Sequence, residues 1–563
     1  MVHLRTLPEA LADAAASGEG YVFAGPDQET PRSYAAMREA SRRAASVFQA
    51  RGLGRGDLVA LIIDEAEDFL IALFGASSAG LIPASLHPPS TSSDRRRYLE
   101  ATAAILRNAR ARAIVTTASA SSELEELRAS CPDLALVIAT AELRVSPTPA
   151  ITADADDRPS SSPVGVSLDD VAFVQFTSGS TSAPKGVVVT HRSLAANIAA
   201  INGPGGLASS PADSAVSWLP LYHDMGLVGM ALGAMYCARP AVLIPPQTFA
   251  RRPAVWLRAI ARHRATVSFA PSFAYGMCAR RLTARDLDGL DLSCWRVAGC
   301  GGEPIHVPSL AAFAEKLRAA GFRETSFLPG YGLAEHVLAA TFAPRGRPLL
   351  VEHLSSEELT TRSVAVQHGA QIDGAGIVSC GPALPDHRIR IVDENGDELP
   401  ERAIGEITLA GPSVMRGYYG DNELTAHAIR DGWLHTGDIG YLANRELFVC
   451  GRLKDIVIAN GRKYHPQDLE WAVEDLDGIR RGRVVAFAAR RVGLADRVVI
   501  VVEASGGVEE AILTHSIRQR IADVCGLYVD EIALVPGGTI GRTTSGKVQR
   551  QATRVRYERG EIG

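Results

Sequence analysis

The densest set of residues able to do chemistry is TSGSTSAPKG (177–186), which lies between the β-rich runs VAFVQF (171–176) and VVV (187–189). A loop this rich in Gly, Ser and Thr presents backbone N–H groups and hydroxyls that can surround phosphate oxygens, and Lys185 adds a positive charge. The candidate phosphate ligands are Thr177, Ser178, Gly179, Ser180, Thr181 and Lys185. The stretch is not the G-x-x-x-x-G-K-[ST] loop of nucleotide hydrolases. Pro184 takes the required Gly position, Gly186 follows the lysine, and the chain runs on into a strand instead of a helix. Its plain reading without a ligand is a Gly/Ser hairpin. A second candidate is Asp438 in WLHTGDIGYL (433–442), a turn between two apolar runs. A carboxylate is acceptor-only and multidentate, which suits a diol. The same T-G-D also fits an ordinary Asx turn.

Positioning these groups falls to alternating strands and helices. LVALII (58–63), ARAIVTT (111–117) and LALVIAT (134–140) read as strands, and 94–112, with Leu99, Ala103, Ile105 and Leu106 among charges, reads as a helix. That rhythm predicts parallel or mixed sheets covered by helices. Residues 146–170 lose periodicity and gain Pro, Ser and Asp, which predicts a surface connector. A second change comes at 450–463. Beyond it a helix near 466–476, strands at 483–491 and 497–505 and a helix near 509–525 predict one small α+β domain, with its boundary at Arg452–Asp455.

Composition sets the outer limits. The 563 residues carry 58 Lys+Arg against 63 Asp+Glu, a formal net charge of −5, so a strongly basic nucleic-acid binder is not expected. A hydrophobic fraction of 46% supplies real cores. The 8 cysteines include no C-x-x-C pair, which favours reduced thiols in a cytosol over a zinc cage or disulfide framework. The first twenty residues lack the basic-then-apolar order of a signal peptide. Residues 69–86 hold no charge, yet Gly75, Gly80 and Pro83 break them, so a buried helix, a turn and a short strand are expected instead of a membrane span. The chain is read as soluble and cytoplasmic.

The loop at 177–186 resembles the phosphate loop of the adenylate-forming enzymes, which include acyl-CoA synthetases, peptide-synthetase adenylation domains and firefly luciferase. Their loop usually has Gly where this chain has Ser182. Further segments follow that family's order across almost the whole chain. GCGGEPI (299–305) and GYGLAEH (330–336) resemble its adenine-site segments, which implicates Gly301, Gly302, Glu303, Pro304, Tyr331 and Gly332. The ring of Tyr331 can stack on a purine, and glycine lets backbone approach the base edge. Glu335 is a hard carboxylate able to hold Mg²⁺ already bound to ATP phosphates, with Thr181 as a second metal candidate. The family's usual Thr before this Glu is Ala334 here, and YGLAE read alone is only a helix start. By the same resemblance, Asp438 accepts the ribose hydroxyls and Arg452, in GRLKDIVIANGRKYHPQDLE (451–470), lies near ribose and phosphate. Lys454 takes the hinge position. Lys547, in TTSGKVQR (543–550), matches the adenylation lysine that reaches the carboxylate and α-phosphate. SWLPLYHDMGLVG (217–229) resembles the segment at the mouth of the acyl pocket. His223, carried among the catalytic candidates, is read as a gate or pocket-wall residue and not as an acid–base group. With Gly226, Met230, Phe273 and Tyr275 it makes the expected acyl pocket.

The resemblance implies an α/β fold: a large N-terminal portion (1–451) of several subdomains with mixed sheets flanked by helices, a hinge at 452–456, and a small mobile α+β domain at 457–563. LPLYHDMGL (219–227), YGLAEHVLAATFAPRGRP (331–348) and RKYHPQDLE (462–470) resemble fatty acyl-AMP ligases more than acyl-CoA synthetases. Residues 342–377 read as an insertion of the kind that marks those ligases, or as a variable surface loop. The implied reaction is activation of a fatty acid by ATP and Mg²⁺ to an acyl adenylate, then transfer to the phosphopantetheine thiol of an acyl carrier protein. The competing expectations are a fatty acyl-CoA ligase and a non-enzymatic nucleotide-binding relative.

Overall fold

Apolar runs of four to eight residues bounded by turns become central strands, and the two largest sheets are built from them. The computed structural model describes residues 3–25, 28–89, 95–145, 165–177, 184–355, 358, 361–367, 376–459, 462–489, 496–542 and 548–562. One sheet runs in the spatial order Ala339–Phe342, Phe327–Gly332, Val297–Cys300, Val267–Ala270, Ala215–Ser217, Ala241–Leu243, Gly20–Ala24, Glu29–Ser33. It is parallel except at its two outer pairs. The other runs Gly417–Tyr418, Lys185–Thr190, Val171–Thr177, Ile82–Ser85, Leu58–Ile62, Ala113–Thr116, Leu136–Ala139. Here Val171–Thr177 and Lys185–Thr190 form an antiparallel hairpin, with Thr177 opposite Lys185.

Residues 69–86 fold as the composition requires. Ala66–Ser78 is a helix in which every residue from Phe69 to Ser77 is buried, followed by a turn and the strand Ile82–Ser85. A helix apolar on all sides belongs in a core. The largest core cluster takes in this helix and side chains from both sheets, such as Leu61 and Leu243. Burying each of Phe69, Leu70, Leu73 and Phe74 stabilises the fold by about 1.5–3 kcal/mol. The hairpin is locked at its far end. Thr190 caps the helix His191–Asn202, its Oγ1 accepting from Ser193 N–H at 3.0 Å.

A third sheet is antiparallel: Arg388–Val392, Gly405–Ala410, Trp433–Ala443 and Ile429–Arg430, with Glu446–Arg452 also paired to Trp433–Ala443. The described part of 342–377 packs on it. Val351–Glu352 pairs with Ile377–Val378. Glu352, 4% exposed, accepts from both Nη atoms of Arg402 (3.0 and 3.1 Å), from Tyr441 Oη (2.9 Å) and from Gln367 Nε2 (2.8 Å).

Beyond Arg452, a single 3₁₀ turn at Leu453–Asp455 leads into the sheet Ile479–Ala489, Arg497–Ala504, Glu531–Val535, with helices Pro466–Val473, Glu510–Cys525 and Arg550–Glu558. These residues fill two core clusters of their own. The C-terminal unit touches the rest through the ring of Trp471, 5.1 Å from that of His306, and through Gln467 Nε2, which donates to Cys450 O. Arg550 bridges Glu470 (2.9 Å) and Asp455 (3.1 Å). The connector at 146–170 lies largely outside the described residues.

Candidate active site

Strands of the two large sheets and of the antiparallel third sheet meet at a cavity of about 2590 Å³, which the C-terminal unit also borders. Carboxyl ends of strands in open α/β sheets are where ligands bind.

On one wall Tyr331 closes its strand, and its Oη donates to Asp438 Oδ2 at 2.8 Å. The two residues are each 8% exposed. Burial first, and then the Asp438 charge, push the Tyr331 phenol well above its ordinary value, so it stays a donor. Asp438 sits opposite Arg452 on the paired strand, with Arg452 Nε 3.2 Å from Oδ1. That charge keeps the guanidinium raised. Asp438 lies inside the strand Trp433–Ala443 and not in the expected turn, and the bulged stretch before it is fixed from below: Thr436 Oγ1 donates to Ile407 O at 2.7 Å, and Glu406 accepts from Gly437 N–H at 2.9 Å and contacts His435 Nδ1 at 2.8 Å.

Gly301 and Gly332 are glycines for steric reasons. A Cβ on Gly301 would come 2.5 Å from Gly330 O, and one on Gly332 would come 1.8 Å from Leu338 O. Both close approaches pack the loops after neighbouring strands against each other. Glu303 lines the cavity and is half-buried. Its Oε1 accepts from Phe273 N–H (2.9 Å) and Ser272 Oγ (3.1 Å), capping the helix Ser272–Arg281. Pro304 O accepts from the same hydroxyl at 3.2 Å.

Across the cavity, Glu335 lies on the short turn Ala334–His336, and its Oε1 accepts from Tyr418 Oη at 2.9 Å. Lys185 Nζ lies 5.1 Å from the centroid of the Tyr418 ring. The turn is strained: Val337 has φ +63° and Leu338 N–H donates to His336 O at 2.7 Å, a γ-turn that a β-branched residue rarely adopts. Ser178, Gly179, Ser180, Thr181 and Lys547 lie outside the described residues. Thr177 and Pro184, which flank residues 178–183, Lys185 next to them, and Arg542 and Val548, which flank residues 543–547, all line the cavity. Lys454 lines it too, and burial, then Arg452, lower its ammonium below the ordinary lysine value.

The apolar end of the cavity is walled by Trp218, Phe249, Phe273 and Met277, with Trp218 and Phe249 stacked at 3.8 Å. His223 is on the wall, its Nδ1 2.5 Å from Asp224 Oδ1. Three expected pocket residues are placed elsewhere. Tyr275 is fully buried among Phe313, Phe327 and Trp295, donating to Gly299 O at 2.8 Å. Phe273 and Met277, one helical turn apart, take the cavity face and leave Tyr275 to the core. In the π-helix Met225–Leu232, Met230 packs into that same core. A Cβ on Gly226 would meet Pro220 O at 2.3 Å, so this residue packs on backbone. Met225 and Gly229 line the cavity in their place.

Sequence reasoning missed Tyr418 and Glu406; Trp218 lies in the pocket-entry segment 217–229 but was not singled out there. The signal available for Tyr418 is two adjacent tyrosines between glycines, GYYG (417–420). Among the described residues no three His, Cys, Asp or Glu side chains converge as a metal cage. No helix among them is long and apolar enough to cross a membrane.

Residues 12–419 match the AMP-binding enzyme family. A "Putative acyl-CoA synthetase" of Caulobacter vibrioides is 38% identical over 99% of this chain and 96% of its own length. The "Medium-chain-fatty-acid--[acyl-carrier-protein] ligase JamA" of Moorena producens is 32% identical over 94% of this chain and 90% of its own. A solved chain from work on fatty acyl-adenylate ligases of E. coli and L. pneumophila superposes with a TM-score of 0.91 at 36% identity, covering 99% of this chain and 100% of that one. With a match through most of its length and a fold shared end to end, the chain belongs to the AMP-binding enzyme family, the adenylate-forming enzymes its motifs resemble.

Proposed function

We propose that this protein is a fatty acyl-AMP ligase that passes its acyl group to the phosphopantetheine thiol of an acyl carrier protein. One observation carries the reading: a single cavity joins the Tyr331–Asp438–Arg452 group and the Glu335–Tyr418–Lys185 group to an apolar end walled by Trp218, Phe249, Phe273 and Met277. In this account a fatty carboxylate oxygen attacks the α-phosphorus of ATP, the bond to the β-phosphate oxygen breaks, and pyrophosphate leaves. Asp438 takes the ribose hydroxyls with Arg452 beside it, and Tyr331 flanks the base. Lys185 and the loop at 177–186 hold phosphates, and Lys547 neutralises charge developing between carboxylate and α-phosphate. Mg²⁺ binds through one or two carboxylates plus substrate phosphates; Glu335 would hold it, with Thr181 as the second candidate. Bound there, the ion would offset phosphate charge. The C-terminal unit (457–563) then turns about the hinge 452–456 at Lys454, withdrawing Lys547 and admitting the thiol, which attacks the acyl carbonyl and expels AMP. We place the reaction in the cytoplasm.

The carrier-protein acceptor is supported by the described part of the segment 342–377, docked through Glu352, and by the similarity to JamA. The similarity to a protein named as an acyl-CoA synthetase favours the second reading, coenzyme A as acceptor. Supplying purified enzyme with a fatty acid, ATP, Mg²⁺ and either coenzyme A or a holo carrier protein separates the two. The carrier protein acylated on its phosphopantetheine thiol is expected as the main product; acyl-CoA as the main product refutes the proposal.

A further inference from the structure

At the phosphate end of the cavity one side chain touches two groups that the proposed reaction uses separately. Tyr418 donates its hydroxyl to Glu335 Oε1 at 2.9 Å, and the face of its ring carries Lys185 Nζ 5.1 Å from the centroid. The ring is 8% exposed and lines the cavity. Its own position is set by backbone. Tyr418 pairs with Val187 on the strand that Lys185 opens, Tyr419 N–H donates to Gly186 O at 2.7 Å, and Tyr418 N–H donates to Thr425 Oγ1 at 2.8 Å. Glu335 is held from the same segment, since Met415 N–H donates to Glu335 O at 2.9 Å. Tyr418 therefore moves with the phosphate loop's return strand, and Glu335 is tied to it twice.

We propose that Tyr418 is a positioning residue: its hydroxyl holds one oxygen of Glu335 so that the other is presented to the metal on the ATP phosphates, and its ring steadies the Lys185 ammonium. This rests on the reading of Glu335 as the metal ligand. Hydrogen-bond partners of ligating carboxylates typically account for about 10–100-fold in metal affinity. A cation over an aromatic face contributes a smaller factor, about threefold at a half-exposed site. The two roles are separable, because Tyr418→Phe removes the hydroxyl and keeps the ring, whereas Tyr418→Leu removes both.

The test is calorimetric titration of ATP onto the full chain without fatty acid, so that no turnover intervenes, in EDTA and across a series of Mg²⁺ concentrations. For Tyr418→Phe we expect the Mg²⁺ midpoint to rise about tenfold with ATP affinity in EDTA retained. Tyr418→Leu is expected to show the same Mg²⁺ shift and, in addition, an ATP affinity in EDTA weaker by about threefold. Glu335→Gln serves as the control for the underlying reading. If Glu335→Gln shifts the midpoint and Tyr418→Phe leaves it at the wild-type value, the positioning role is overturned while Glu335 keeps its assignment. A wild-type midpoint in Glu335→Gln overturns the metal assignment and the proposal with it. Equal EDTA affinities for the Phe and Leu variants overturn the ring's role.

Discussion

Asp438 carries the heaviest duty of any single residue in the cavity, since it accepts from Tyr331 and pairs with Arg452 before any ligand arrives. In Asp438→Ala both partners lose their charge-bearing acceptor and the proposed ribose contact is lost. Hydrogen bonds to charged groups contribute about 1.5–3 kcal/mol each, so the Kd for ATP should rise about 10–100-fold. Equilibrium dialysis checks this; an unchanged Kd places the ribose elsewhere. Lys547 is expected to behave in the opposite way. Lys547→Ala should lower adenylate formation about 10²–10³-fold while ATP binding is largely kept, because its charge matters most as the transition state develops. Unchanged turnover refutes the assignment. Asp438 was legible in the sequence as a candidate, because a carboxylate suits a diol, although T-G-D between apolar runs also fits an ordinary Asx turn. Its bond to Tyr331, 107 residues away, was not, since only the folded sheets bring the two together.

The strands named from short apolar runs, such as 58–63 and 171–176, form within a residue or two of those bounds, because central parallel strands need that composition and length. The acyl-pocket residues were less legible. Apolar side chains on Ser272–Arg281 and Met225–Leu232 serve the core and the cavity equally well by type. Which face Tyr275 or Met230 takes depends on helix orientation, and the π-helical turn shifts the phase further. Tyr418 was hidden for a different reason: its importance comes from the two-residue strand Gly417–Tyr418 pairing with Lys185–Thr190. The described part of 342–377 has a measurable anchor. Glu352→Ala leaves Arg402 and Tyr441 without their carboxylate and should destabilise the protein by about 2–4 kcal/mol, read from the denaturant midpoint, with ATP binding at the cavity retained. A loss below about 0.5 kcal/mol means the segment is a passive loop.

Several neutral histidines tie the whole molecule to pH. Burial holds His191 and His465 down to about 4, and His191 Nδ1 must be unprotonated to accept from Leu7 N–H at 3.0 Å. His306, at the Trp471 contact, is also held to about 4, by burial and then by Arg280 and Arg481. A folded value below the ordinary 6.5 means that the unfolded chain binds the proton more readily. The stability these rings contribute is therefore complete above about pH 6.5 and is lost as pH falls toward 4, up to on the order of 3 kcal/mol for each fully buried ring. Tm should decline steadily over that window, and limited proteolysis at the 452–456 segment should accelerate as His306 gains charge. A flat Tm between pH 7 and 5 contradicts this. The proposed reaction joins a fatty acid to AMP within one cavity of the whole molecule. Fatty-acid-dependent exchange of radiolabelled pyrophosphate into ATP measures that step alone, with no acceptor present. Exchange is expected with at least one medium- or long-chain acid and is expected to be lost in Lys547→Ala. No exchange with any such acid would contradict it and leave the protein a nucleotide-binding scaffold.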